Sequence, residues 1–124
     1  MEKSVDILIK IAFVLFVFFL GCLSIFKTFN IGGGIATTIE VYAGGDKMLH
    51  FWGAGAIAFM MCHICRHRFC PNRIAFWVMS LLLVEEGSQA IFPNRHFNLD
   101  DIGAGCAGVL ALVSVFKLFS NNGR

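Results

Sequence analysis

The chain has 124 residues, 57% of them hydrophobic, with fourteen Phe and a mean hydropathy of +0.75, which is too apolar for a water-soluble domain of this size. Its formal net charge of +2, with no basic tract carrying interleaved aromatics, argues against a nucleic-acid partner. A bilayer core about 30 Å thick needs roughly 20 apolar residues per helix, so the chain has room for four such segments and little else.

The first segment is predicted over about 5–26 and includes the run IAFVLFVFFL. Glu2-Lys3 ahead of it resembles the start of a signal peptide, and Gly21-Cys22 resembles a lipoprotein cleavage site. Phe19 and Leu20 match such a site poorly, however, and apolar residues continue to Phe29, so the segment is read as a retained span. The stretch 27–46 contains Gly32-Gly33-Gly34 and Gly44-Gly45 and is expected to be a flexible connection. The second segment covers about 47–65, the third about 74–92 and the fourth about 100–119. Period-two alternation is missing, so the expected fold is all-α: an integral membrane four-helix bundle forming one domain over 1–124.

Orientation follows from Lys and Arg in the short loops. Arg66, Arg68 and Arg73 place the loop between segments two and three in the cytoplasm, and Lys3, Lys117 and Arg124 fall on the same side. Lys27, Lys47 and Arg95 are left for the outside, three against six, so both termini are expected in the cytoplasm. That topology gathers Asp46, His50, Glu85, Glu86, Gln89, Arg95, Asp100 and Asp101 at the outer face.

Ionisable groups in hydrocarbon are expensive and mark functional sites by default. Asp46 and His50 are four apart and share one helix face, as do Glu85 and Gln89, with Glu86 and Gln89 three apart. Glu85 and Glu86 lie about two turns inside the end of their segment, where adjacent carboxylates call for a cation or a shared proton. Pro93-Asn94 turns Arg95 back over the helix ends, and Asn98 is placed to cap the last helix with Asp101 at its third position. Ordinary structural roles exist for several of these groups. Asp46, Asp100 and Asp101 complement helix dipoles, Lys47 is placed to snorkel, Arg95 to pair with Glu86, and His50 to bond between helices. Segments two and four both begin outside, and helix N-termini favour anions. Yet Asp46, Glu85, Glu86, Asp100 and Asp101 set five carboxylates against Lys47 and Arg95. A divalent cation such as Mg²⁺, Mn²⁺ or Zn²⁺ would relieve that excess, with nothing in the sequence selecting one.

Two blocks carry a family resemblance. GGDKMLHFWGAGAIAFMM resembles the Asp-Lys-x-x-His-Phe helix opening of the VanZ-like family of small bacterial membrane proteins. EEGSQAIFPNRHFNLDDIGAGCAG resembles its second block, with an acidic pair, Gln, a Pro-containing turn, Arg, and an Asp starting the last helix. The spacings agree from Glu86 to Gln89, Arg95, Asp101 and Gly108, and the likeness covers about 45–112. The chain departs from the family pattern at Glu85-Glu86, where Asp-Glu is usual, and at Gly105, where Asn is usual. The family is named for a protein associated with teicoplanin resistance, and relatives occur near cell-envelope and exopolysaccharide functions. The resemblance therefore implies a multi-pass protein of the bacterial cytoplasmic (inner) membrane.

The functional expectation is a pocket that binds or processes a lipid-linked or glycan-associated anionic group. In an enzymatic version His50 or Glu86 is the general base, Asp46 and Asp101 orient the His or hold a cation, and Lys47 and Arg95 stabilise phosphate charge, with Gln89 among the binding residues. Two alternatives belong to other classes. One is a non-catalytic accessory subunit of a polysaccharide synthesis, export or antibiotic-resistance system, and the other is a proton-coupled carrier with Glu85 or Glu86 as relay. Expected partners are membrane lipids, envelope polysaccharide or other membrane proteins.

Cys62, Cys65 and Cys70 with His63 and His67 contain one Cys-x-x-Cys, a weak zinc signal read here as reduced thiols. Ala54 with Ala58, and Ala104 with Gly108, form small-residue stripes expected to draw segments two and four together with their polar starts side by side.

Overall fold

A computed structural model describes residues 2–122; Arg124, which entered the charge count, lies outside them. The described residues form five α-helices and no strands: α1 Glu2–Phe29, α2 Ile35–Tyr42, α3 Asp46–Ile64, α4 Pro71–Gln89 and α5 Leu99–Asn122. The four long helices match the four expected segments to within a few residues. The fifth is α2, which occupies the stretch read from its glycines as a flexible connection.

The reason lies in how the glycines are used. After α1, Asn30 takes a left-handed φ of 52°, which Asn tolerates. The Ile31 N–H then reaches the Phe26 carbonyl at 2.9 Å, closing a Schellman cap. At the end of α2, Gly44 (φ 95°) lets the Gly45 N–H reach the Glu40 carbonyl at 2.8 Å in the same motif. Asn30 and Gly44 thus end two helices, and Gly32, Gly33 and Gly34, all at positive φ, turn the chain between them. Between the turns, Ala36 packs inward and Glu40 points at the end of α1.

α1 over Lys3–Phe29 and α5 over Leu99–Asn121 are long and apolar enough to cross a membrane. α1 exposes Leu8, Val14 and Phe18, and α4 exposes Phe76, Trp77 and Val84. Contiguous apolar surface of this kind suits lipid or a protein partner better than water.

α3 packs most extensively on α5. A Cβ placed on Gly108 would stand 1.9 Å from the carbonyl oxygen of Phe51, and one on Gly55 would stand 2.8 Å from the carbonyl oxygen of Gly108. The two backbones therefore touch, with a glycine hydrogen directed at a facing carbonyl. Below this contact Ala54, Ala58, Cys62, Val109 and Val113 form the core with Ile74, Ala75 and Val78 of α4. Of the expected stripes, Ala54 and Ala58 lie in this core and Gly108 makes the closest approach, against Phe51 and Gly55 rather than the alanines.

Ion pairs fix the helix directions. Lys47 meets Asp100 at 2.7 Å, so α3 and α5 start at the same end. α1 runs the other way, with Lys27 near Asp46 at 3.1 Å and Asp6 near His63 at 3.2 Å. Lys117 bonds to Asn72, which places the end of α5 by the start of α4. One end of the bundle thus collects the end of α1, α2, the starts of α3 and α5, and the end of α4.

Candidate functional site

The site lies at that end and has two halves with different chemistry. The first is closed. The Gln89 side-chain N–H₂ donates to Glu85 Oε1 at 2.7 Å and Glu86 Oε2 at 3.1 Å, while its oxygen accepts from Arg95 Nε at 3.0 Å. Only this orientation of the amide works, because a guanidinium can only donate and ionised carboxylates only accept. Glu86 Oε1 accepts the backbone N–H of Asn98 at 3.0 Å. Glu86, only 1% exposed, therefore has both oxygens occupied and joins α4 to the loop before α5. Arg95 is buried too, and its nearest carboxylate is Glu85 at 3.5 Å rather than the expected Glu86. The Phe92 carbonyl accepts from the Arg95 N–H at 3.1 Å, the turn that the Pro93-Asn94 pair implied. Asn98 caps α5, its Oδ1 accepting from the Asp100 N–H at 3.0 Å.

The second half is open. His50 Nε2 lies 3.6 Å from Asp46 Oδ1. Lys27 sits between Glu40 at 2.7 Å and Asp46 at 3.1 Å. Asp101 is 4% exposed, yet its Oδ1 has no hydrogen-bond partner. Asp46, His50 and Asp101 each offer a ligand atom within 4.8 Å of the others, and so do His50, Glu85 and Glu86.

Beside the open half is a cavity of about 500 Å³. Its walls are apolar, with Leu20 and Leu23 of α1, Ala54 and Ile57 of α3, and Val78 and Leu81 of α4 among them. At the polar end stand Lys27, Glu40, Asp46, His50, Glu85 and Arg95. The space exists because α1 packs on α3 but not on α4 among the described residues, so the two leave a cleft.

Of the seven site residues expected from sequence, Asp46, His50 and Arg95 line the cavity. Asp101 lies behind the first two, and Glu86 and Gln89 are buried in the clamp. Lys47, with its side chain 61% exposed, points away from the cavity to Asp100. Lys27 and Glu40 were not singled out by sequence. The available signal was a lone cation ending an apolar segment, which needs a counter-ion, and an acid four residues after Ala36 on the face that packs inward.

At the opposite end Cys62 is buried in the core, while Asp6 of α1 is shared by His63 at 3.2 Å and Arg66 at 3.5 Å. Cys65 and Cys70 are free thiols nearer the surface. This cluster anchors the start of α1 to the end of α3.

No protein-family model matches the chain, and neither a curated protein nor a solved structure matches it.

Proposed function

We propose that this is a VanZ-like protein of the bacterial inner membrane, with its four long helices crossing the bilayer and both termini in the cytoplasm. Its outward-facing site holds a lipid-linked anionic group. The observation that carries this reading is the cavity: apolar walls on three helices lead to a polar end where Lys27, Arg95 and His50 stand among Glu40, Asp46 and Glu85. An acyl or prenyl chain suits the walls, and a phosphate or glycan headgroup suits the end. The division of the polar cluster supports a binding role for the open half and a positioning role for the closed half. Glu86 and Gln89 hold Arg95 at the cavity wall. His50 lines the space, 3.6 Å from Asp46 Oδ1, and is placed to engage a bound headgroup.

The test is to extract the full-length protein with its surrounding lipid in a polymer disc and identify retained lipids by native mass spectrometry. An anionic lipid enriched over the bulk membrane is expected. It should be lost in Arg95→Gln and in Leu81→Trp, which fills the cavity wall. Retained lipid of bulk composition in the wild type, or equal retention in both variants, refutes the reading.

The accessory-subunit reading is favoured by a different observation, the broad apolar exposure of α1. Co-purification of a second membrane protein that is lost when Val14 and Phe18 are replaced by Ala would support it.

A further inference from the structure

A buried carboxylate oxygen without a partner is costly, and the deficit at Asp101 Oδ1 calls for a cation. Among the described residues the three cations at this end are already engaged: Lys27 by Glu40 and Asp46, Lys47 by Asp100, and Arg95 by Gln89 and Glu85. The His50–Asp46 separation of 3.6 Å adds a second sign. It is too long for a hydrogen bond. It is close to the edge of about 3.3 Å between two ligands of a tetrahedral ion whose bonds are near 2.0 Å.

We infer that Asp46, His50 and Asp101 form a mononuclear divalent-metal site open to the cavity. Asp46 and His50, four residues apart on one face of α3, give two ligands, and Asp101 gives the third from α5. The backbone contact of Gly108 with Phe51 fixes the register of those two helices. Because Asp46 and His50 also line the cavity, the remaining coordination position faces it. One imidazole with two carboxylates suits Zn²⁺ or Mn²⁺; Mg²⁺ prefers oxygen and water alone. The neighbouring group of His50, Glu85 and Glu86 is a poorer site. Both Glu86 oxygens already accept hydrogen bonds, and Glu85 Oε1 accepts from Gln89 beside Arg95. Lys27 and Glu40 stand behind Asp46 and orient it. The site rests on its three side chains and not on the lipid reading. If a phosphate headgroup does occupy the cavity, the ion is what would join it to a face with more carboxylates than cations.

The test uses the full chain in phosphatidylcholine nanodiscs, stripped with a chelator and titrated with Co²⁺. One ion per chain is expected, with visible d–d bands and no thiolate charge-transfer band. His50→Ala and Asp101→Asn should each weaken binding by about 100-fold or more, whereas Lys47→Gln should leave it within threefold. Asp101→Asn keeps the side-chain shape and removes the unpaired charge. It should melt no lower than the metal-free wild type while losing the metal-dependent rise in Tm. A wild type that retains no ion overturns the inference. So does Asp101→Asn binding within threefold of wild type, or a thiolate band that places the ion among Cys62, Cys65 and Cys70. Lipid retention is read separately by mass spectrometry. Metal without lipid leaves the site standing, and lipid without metal removes it.

Discussion

Replacing Gly108 by Ala puts a methyl carbon 1.9 Å from the Phe51 carbonyl oxygen, 2.7 Å from its carbon and 2.9 Å from its Cα. A carbon–oxygen contact settles at about 3.3 Å, so α3 and α5 must part by more than about 1 Å. The obstacle is backbone, which has no rotamer to change. Overpacking costs about 1–3 kcal/mol in ordinary cores, and a backbone clash belongs at the upper end. Against this, Ala in a helix interior gains about 0.5–1 kcal/mol over Gly. The expected net loss is about 2 kcal/mol or more. Gly103→Ala is the matched control on the same helix, since nothing lies within 4 Å of a Cβ there. It should be neutral or stabilising by up to about 1 kcal/mol. Both are measured by unfolding the full chain in mixed micelles with increasing SDS, following Trp52 and Trp77 fluorescence. A Gly108→Ala protein within about 0.5 kcal/mol of wild type, or an equal loss in Gly103→Ala, would show that the two helices do not meet on their backbones.

Glu86→Gln sets an amide N–H₂ against the N–H of Asn98 or Gln89, so we expect a loss of about 1–3 kcal/mol in the same assay and lower abundance in membranes. Unchanged stability would remove the clamp. Asn98→Ala deletes the cap of α5 and should cost about 1 kcal/mol, with faster amide exchange confined to Asp100 and its neighbours; exchange that rises along the whole helix would contradict a local cap. Asp6→Asn weakens the partly exposed pairs with His63 and Arg66 and should shift stability by no more than about 1 kcal/mol. A larger change would mean that α1 depends on this end far more than its geometry indicates.

The long helices were legible because each follows an apolar run of the right length, with Asn98 marking the start of α5; Pro71, which opens α4, was passed over, so that helix was begun three residues late. The i,i+4 spacing likewise put Asp46 beside His50 and Glu85 beside Gln89 correctly. α2 was missed because glycine in a sequence marks only freedom, and its use as a cap depends on which carbonyl the next N–H can reach. Lys27 and Glu40 were missed for a related reason. They meet across 13 residues through a turn whose direction no spacing rule specifies. Arg95 was assigned the wrong glutamate because adjacent residues on a helix point about 100° apart. Only the packing of α4 on α5 decides which of the two faces inward.

The cleft between α1 and α4 also bears on how any occupant arrives. If the four long helices cross a bilayer as proposed, the gap would open sideways into the acyl-chain region, and an oily molecule would reach the cavity without passing through water. Its concentration there is then set by partitioning and lateral diffusion rather than by aqueous solubility. The same opening would admit detergent tails. Protein purified in micelles would then carry detergent as a competing ligand, and apparent affinities would depend on the chain length of the detergent chosen.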